Sequence, residues 1–419
     1  MDPGINKLKI LNDPVHGFIK IPSEFIYDLI EDPWFQRLRF IRQLGLTDLV
    51  YPGATHSRFL HSLGALYLMG EALTTLRKKG VSISDEEYEA ALVAILCHDL
   101  GHGPFSHSLE FNISGRVGHE ELSLMIMNIL NKKYSGRLDL AIEIFSGSYS
   151  RRFFNDLVSG QVDMDRLDYL LRDSFYTGVI EGSVGADRII SMLNIAGDRL
   201  VVEEKGVYSI EKFLIARRFM YWQVYMHKTV LAADQMLKKV IGRARDLVCR
   251  GEELASTASV EYFLRTRIDM QKLLEGGIEG FYAMFFKLDD GDVIASIRLW
   301  ADSRDRVLSD LAKAFISRRL PAIELSDKPF TGGKRDKVTE ALSGLNDFRS
   351  EDTGSYVYTG SISNLAYAPS APSIRVMKRD GSLSELTELS GILRHEALSK
   401  STTMYFLCYP KDLRNIIHS

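Results

Sequence analysis

The chain has 419 residues, is 45% hydrophobic and 26% charged, and carries a formal net charge of -3. This is ordinary globular composition, and the length supports two or three structural units with sizeable cores. It excludes a global field that would draw in nucleic acid or an anionic membrane, so an anionic substrate has to be met by a local positive pocket.

Cys97, Cys249 and Cys408 stand far apart with no CxxC pair, which fits a reducing compartment and no disulfide framework. The N-terminal residues hold no apolar h-region, and no apolar run reaches about 18 residues, so a soluble, cytoplasmic protein without a membrane partner is expected. Residues 5–22 alternate apolar and polar side chains around a DP-x-HG turn, which predicts a strand or short hairpin. Asp32-Pro33 predicts a helix start that runs through WFQRLRFIRQL and stops near Gly45. Ser57 opens a second helix, RFLHSLGALYLMGEALTTLRKKG, ended by Lys-Lys-Gly. Ser84, followed by three acidic residues, opens a third, YEAALVAILCHD, apolar nearly all round and therefore buried. Gly101, Gly103 and Pro104 break it. Similar patterns predict helices over 119–132, 138–146, 151–158 and 164–173, and one long helix or two over 209–249.

Beyond residue 275 the character changes. FYAMFFKLDDGDVIASIRLW reads as a helix end, a turn and the start of a strand or helix. SRDRVLSDLAKAFISRR is an amphipathic helix, and YVYTGSISNLAYAPSAPSIRVMKRDGSL and TTMYFLCYP are β-like. The polar, Gly-rich segment 326–352 reads as a mobile loop. The expected fold is mainly α: a helical domain over 1–250 with a short N-terminal β segment, then a mixed α+β region over 251–419 that offers an oligomer or regulatory interface.

The chemistry concentrates in HDLGHGPFSH, residues 98–107. At a helix end the backbone can turn so that both His98 and Asp99 reach one ion, and a divalent metal compensates their buried charge. A helix-capping pair without metal accounts equally for an isolated His-Asp. Upstream, HSRFLHS places Arg58 and His61 on one helical face. Downstream, VDMDRLDYLLRD offers Asp165 and Asp168 three apart. Two His and two Asp from three helices form a mixed nitrogen and oxygen set that suits Mn, Fe, Ni, Zn or Mg without selecting among them. Asp163, Asp165, Asp168 and Asp173 read equally well as a solvated face bridged to Arg166 and Arg172. Seven of the ten histidines fall between residues 16 and 119. His102, His107 and His119, with Glu110 and Glu120 near them, point to proton transfer.

NDPVHGFIKI, DPWFQRLRFIRQLG, YPGATHSRFLHSLG, LCHDLGHGPFSH and VDMDRLDYLLRD together resemble the HD superfamily of metal phosphohydrolases. Within it they are similar to the dNTP triphosphohydrolase branch, which includes the SAM-and-HD-domain dNTPase and bacterial dGTPase-like proteins. The resemblance covers residues 8–230 and is weak over the last third. With the motifs beginning near residue 8, a SAM domain is expected to be absent.

The resemblance implies a metal held by His61, His98, Asp99 and Asp165, with a second Mg carried by the substrate triphosphate. It implies attack on the α-phosphate of a dNTP, dGTP foremost, giving deoxynucleoside and triphosphate. Arg58 matches a phosphate-gripping arginine. Arg166 stands where relatives carry lysine, keeping the charge but not the shape. His107 and His119, with Glu110 and Glu120, match the group that protonates the leaving oxygen, and His102 faces the α-phosphate. Gln43 and Asp173 match the holders of the 3′-hydroxyl, and Leu44 and Tyr225 the walls at the 2′ position. Tyr169, Arg217 and Lys228 match positions near the triphosphate, although a core tyrosine and the basic edge of an amphipathic helix are the plainer readings. Glu31, Gln36 and Arg39 partly match an allosteric guanine pocket, with Glu31 where relatives have Asp. The implied partners are a nucleotide substrate, a nucleotide activator and further copies of the chain as dimer or tetramer, not nucleic acid. Two alternatives stay open. One is an HD phosphohydrolase acting on nucleoside monophosphates, cyclic dinucleotides or alarmones. The other is a non-catalytic nucleotide- or nucleic-acid-binding regulator.

Overall fold

The structure is a computed structural model that describes residues 9–109, 117–266, 268, 278–344, 349–364, 374–390 and 402–415. Strands β1 (Ile10–Asp13) and β2 (Gly17–Lys20) form the expected antiparallel hairpin, with Gly17 at φ 74 supplying the left-handed turn residue. Helix α1 (Glu24–Glu31) was not expected, yet its signal is local. Ser23 caps it by accepting from Ile26 N, and Phe25, Ile26, Leu29 and Ile30 form one buried stripe.

Asp32-Pro33 does start a helix, but not one that reaches Gly45. A single turn, Pro33–Gln36, passes into a 3-10 turn, Arg37–Phe40, and Ile41 is extended. Tertiary bonds outcompete the helix there. The Arg37 guanidinium donates to the carbonyls of Leu288 and His102, Arg42 N donates to Asp290 Oδ2 at 3.0 Å, and Arg42 bridges to Ser57. Gly45 sits at φ 52, where a Cβ would lie 3.2 Å from the Phe105 carbonyl oxygen.

Helix α2 (Arg58–Lys78) packs between α3 (Asp85–Cys97) and α7 (Met164–Thr177). Ser84 and Glu87 close a reciprocal capping box on α3, whose Ala91 to Cys97 are all buried. Burial of such side chains contributes about 1.5–3 kcal/mol each for the larger ones, so α3 anchors the core. Between them come α4 (His119–Lys133), α5 (Asp139–Ser146) and α6 (Arg152–Ser159). Helix α7 runs one turn past residue 173 and ends at Gly178, φ 73. The 209–249 stretch is two helices, α8 (Val207–Met220) and α9 (Lys228–Cys249), separated by a π-turn at Tyr221–Tyr225.

A strand pair, Leu193–Ala196 with Arg199–Glu203, extends in parallel to Arg375–Met377. After residue 275 the DDGD run is a helix start, with Asp289 capping Asp290–Trp300. Phe281, Trp300 and Phe315 join the same core as α2 and α3. A three-stranded sheet, Ala322–Ser326, Thr402–Tyr409 and Tyr358–Asn364, has its own small core. The segment expected to be a mobile loop contains helix Lys334–Ser343, because Val338 and Leu342 are buried with Leu407 and Tyr409; residues 345–348 lie outside the described ones. No helix among the described residues is long and apolar enough to cross a membrane.

Candidate metal centre and substrate pocket

Three helices bring the four expected ligand groups close together. Helix α2 carries His61, the end of α3 carries His98 and Asp99, and the first turn of α7 carries Asp165. His61 Nε2 lies 3.3 Å from His98 Nε2 and 3.1 Å from Asp165 Oδ1. His98 Nε2 lies 3.2 Å from Asp99 Oδ1 and 3.6 Å from Asp165 Oδ1. Donor atoms of His61, His98 and Asp99 all fall within 4.8 Å of one another. Ligands about 2.0–2.2 Å from one divalent ion stand about 3–4 Å apart, so the spacing fits a metal.

The two imidazoles are turned to use their Nε2 lone pairs. His61 Nδ1 donates to Asp168 Oδ2 at 2.8 Å, and His98 Nδ1 donates to the Ile95 carbonyl at 2.6 Å. Asp168 is itself gripped by Arg172 through Nε at 2.9 Å and Nη2 at 3.0 Å, and by His16 Nε2 at 2.6 Å. Arg172 also reaches Asp13 Oδ2 at 2.7 Å. Such outer partners set ring orientation and ligand basicity. Gly64 on α2 makes room for them, since a Cβ there would lie 1.9 Å from Asp168 Oδ1 and 2.2 Å from Arg172 Nη2. The reading of 162–173 as a solvated face fails on burial, because Asp163, Asp168 and Asp173 are each at most 1% exposed. Its ion pairs exist, but inside the protein. His16 and Asp13 escaped sequence reasoning as parts of this shell, although both stand in the DP-x-HG turn.

The charge balance of the cluster suits a cation. Burial opposes the charge on Asp99, but the Arg58 guanidinium, 2.6 Å from Oδ2, and the neighbouring histidines hold it well below the usual carboxylate range. Burial pushes His61 down, and hydrogen bonds to Asp165 and Asp168 outweigh it, raising the imidazole to about 10. A dication placed there would take over the role of that proton. Burial and the Arg58 charge push His102 well below its ordinary value, so it is neutral. Its ring stacks on His119 with centroids 4.0 Å apart.

These groups open on a cavity of about 370 Å³, a size suited to a small ligand. Its lining includes His98, Asp99, Asp165, Arg58, His102, His119 and Glu120, together with Gln43, Leu44, Tyr169, Asp173 and Tyr225. Asp173 accepts from Tyr225 Oη at 2.7 Å and pairs with His56 Nε2 at 2.8 Å. Gln43 Oε1 is buried and has no hydrogen-bond partner among the described residues. Phe105 and Ser106 take left-handed φ of 53 and 51, held by Asp290 Oδ1 on Phe105 N and by Arg58 Nε on Ser106 Oγ. Non-glycine residues in that region mark a strained, constrained turn, and here it shapes the cavity wall.

Other expected residues are not brought to the wall. Arg166 is bonded to Asp163 and to the Gly160 carbonyl, and Asp163 keeps its guanidinium firmly charged. Arg217 is buried outside the lining, and Lys228 is exposed at the start of α9. Glu110 and the His107 side chain lie outside the described residues. Glu31, Gln36 and Arg39 sit away from the cavity; Arg39 Nε donates to Gln36 Oε1 at 2.6 Å and its guanidinium covers the Phe59 ring. Ser108 and Asp234 line the cavity and were missed, because a serine and a helical aspartate carry no signal of their own.

Family models agree with the helical core. An HD domain matches residues 58–152, and an HD associated region matches 184–269. The chain is 33% identical to the uncharacterized protein YwfO of Bacillus subtilis, over 98% of this chain and 94% of that protein. It is 32% identical to the deoxynucleoside triphosphate triphosphohydrolase SAMHD1 homolog of Dictyostelium discoideum, over 59% of this chain and 51% of that one. With human SAMHD1 it shares 28% identity over 63% and 48% of the respective chains, so it spans about half the length of these two relatives. The crystal structure of a phosphohydrolase from Bacteroides thetaiotaomicron superposes with a TM-score of 0.91 at 47% identity, covering 96% of this chain and 99% of that one. Because that likeness runs from end to end and the HD match lies over the helices that bring His61, His98 and Asp99 together, the chain belongs to the HD-domain phosphohydrolases, in the branch with SAMHD1 homologues.

Proposed function

We propose that this enzyme hydrolyses deoxynucleoside triphosphates to deoxynucleoside and triphosphate, with dGTP its foremost substrate. The carrying observation is one cavity whose lining includes His98, Asp99 and Asp165 of the donor set, with Arg58, His102 and His119 as well as Gln43, Leu44, Asp173 and Tyr225. His61, His98, Asp99 and Asp165 would hold a divalent ion, which would supply Lewis-acid polarisation of a phosphoryl oxygen and lower the pKa of the attacking water. The mixed donors accept Mn, Fe, Ni, Zn or Mg, and a second Mg travels with the triphosphate.

Water adds to the α-phosphorus, the bond from phosphorus to the 5′-oxygen breaks, and that oxygen takes a proton. Arg58, fixed by Asp99 and Ser106, grips a phosphate oxygen. Neutral His102 donates a hydrogen bond to the α-phosphate. His119, with Glu120 beside it and His107 and Glu110 as further members of the group, delivers the proton to the leaving oxygen. Gln43 and Asp173 hold the 3′-hydroxyl. Leu44 and Tyr225 fill the space a 2′-hydroxyl needs, with Tyr225 pinned by its bond to Asp173. Tyr169, on the cavity wall, packs beside the triphosphate. An activating nucleotide would bind at Glu31, Gln36 and Arg39, where Arg39 Nε donates to Gln36 Oε1.

The test is a panel of dNTPs and NTPs with Mn, Fe, Ni, Zn or Mg, with and without added dGTP, read for tripolyphosphate. The expected result is metal-dependent tripolyphosphate from dNTPs, far above that from NTPs. Orthophosphate or a nucleoside monophosphate as the only product overturns the reading and points to another HD phosphohydrolase substrate.

A further inference from the structure

One carboxyl on the cavity wall has no part in the chemistry above. Asp234 stands in the second turn of α9, whose helix packs against Thr47–Leu49 and Ser106–Ser108. Its Oδ1 accepts from Ser108 Oγ at 2.7 Å, and no described residue bonds to Oδ2. Burial pushes the carboxyl up to about 6, opposed by Ser108 and by Lys238. Asp234 lines the same cavity as Leu44, Thr47, Tyr225 and Val230. Oδ2 is not among the buried, unpartnered atoms, so near neutral pH it is an acceptor open to the cavity and available to an N–H donor of a ligand.

The nucleobases differ in what they offer such a group. Guanine presents N1–H and N2–H as adjacent donors, and a carboxylate can take both at once. Adenine and cytosine set a ring-nitrogen lone pair beside their amino group. Thymine flanks its N3–H with two carbonyl oxygens. Each of these three brings an acceptor against the carboxylate, which is repulsive and leaves a bond unmade.

We propose that Asp234 reads the Watson–Crick edge of guanine and sets the base preference of the pocket. The inference rests on the nucleotide reading of the same cavity, and binding separates the two. Calorimetric titration of the whole chain with deoxyguanosine, deoxyadenosine, deoxycytidine, thymidine and deoxyinosine is the measurement. Deoxyguanosine is expected to bind at least about tenfold more tightly than the other three natural nucleosides, the worth of one good bidentate pair. Deoxyinosine lacks only the N2 amino group and is expected to bind several-fold more weakly than deoxyguanosine. Asp234→Asn is expected to abolish the guanine preference without lowering the melting temperature. Equal binding of deoxyguanosine and deoxyadenosine by the unaltered protein overturns the proposal, as does a preference that survives in Asp234→Asn. If the variant does not fold, the deoxyinosine comparison decides alone. Guanine preference without tripolyphosphate from any dNTP breaks the triphosphohydrolase reading and leaves Asp234 standing; tripolyphosphate without the preference does the reverse.

Discussion

The charged cluster at His61, His98 and Asp99, the candidate metal side, and the lining around Leu44 and Tyr225, the proposed nucleoside wall, satisfy their polar groups differently. At the metal side nearly every charged group is buried and bonded to another: Arg58 to Asp99, His61 to Asp168, Asp168 to Arg172 and His16. Breaking one partner there leaves a buried charge uncompensated, which is costly. Around Leu44, Tyr169 and Tyr225 the lining is more aromatic, Gln43 Oε1 is buried without a hydrogen-bond partner among the described residues, and Asp234 bonds through one oxygen. Under the proposed function the first fixes an ion and the second discriminates among ligands. Mutations should therefore act on metal affinity and turnover on the first side, and on selectivity with little loss of fold on the second.

The largest effect is expected at the metal. His98→Ala should lower turnover by at least about 10³-fold, the several kcal/mol a Lewis acid supplies, and reduce bound metal in elemental analysis. Full turnover by metal-depleted His98→Ala protein would erase the contrast between the two sides. Next is the supporting shell. Asp168→Asn should weaken Mn²⁺ binding about 10–100-fold in a calorimetric titration. It should also lower unfolding stability by about 3 kcal/mol, because Arg172 keeps only Asp13. Unaltered metal affinity would show that His61 needs no orienting carboxylate.

On the nucleoside wall, Tyr225→Ala should raise the GTP to dGTP turnover ratio about tenfold while leaving metal affinity unchanged. An unchanged ratio removes Tyr225 from the 2′ wall. The smallest effect concerns Asp290, which ties Phe105 and Arg42 to the later helices. Burial pushes its carboxyl up to about 6 from an ordinary 3.8, against the two backbone bonds it accepts. The folded protein then holds the proton more tightly than the unfolded chain. Stability from this group is full at low pH and falls as pH rises between the two values. Asp290→Asn, uncharged throughout, should flatten that fall in urea unfolding followed across the same range; an identical slope counts against it.

Local signals carried much of the architecture. Ser84 with Glu87, Gly178 and the apolar pattern of α3 made helices that the tertiary structure kept. Helix α1 had an equally good cap and stripe and was passed over. Where expectation and structure part, long-range bonds are the reason: Asp290 and Leu288 pull residues 37–42 out of the helix that WFQRLRFIRQL would otherwise form, and the buried Val338 and Leu342 fold a polar segment that looked like a loop.

The amino-acid sequence by itself determined the residue types and order that bring an HD metal site about, His61, His98-Asp99 and Asp165, because ligand chemistry is written in side-chain identity and helix ends are locally encoded. Only the tertiary structure decided which of the clustered carboxylates does what. Asp165 faces the imidazole nitrogens, Asp168 holds His61 from behind, Asp173 is bonded to His56 and Tyr225, and Asp234 faces the cavity from another helix. Those roles depend on contacts between residues far apart in the chain, where burial and direction, not spacing, set what a carboxylate can do.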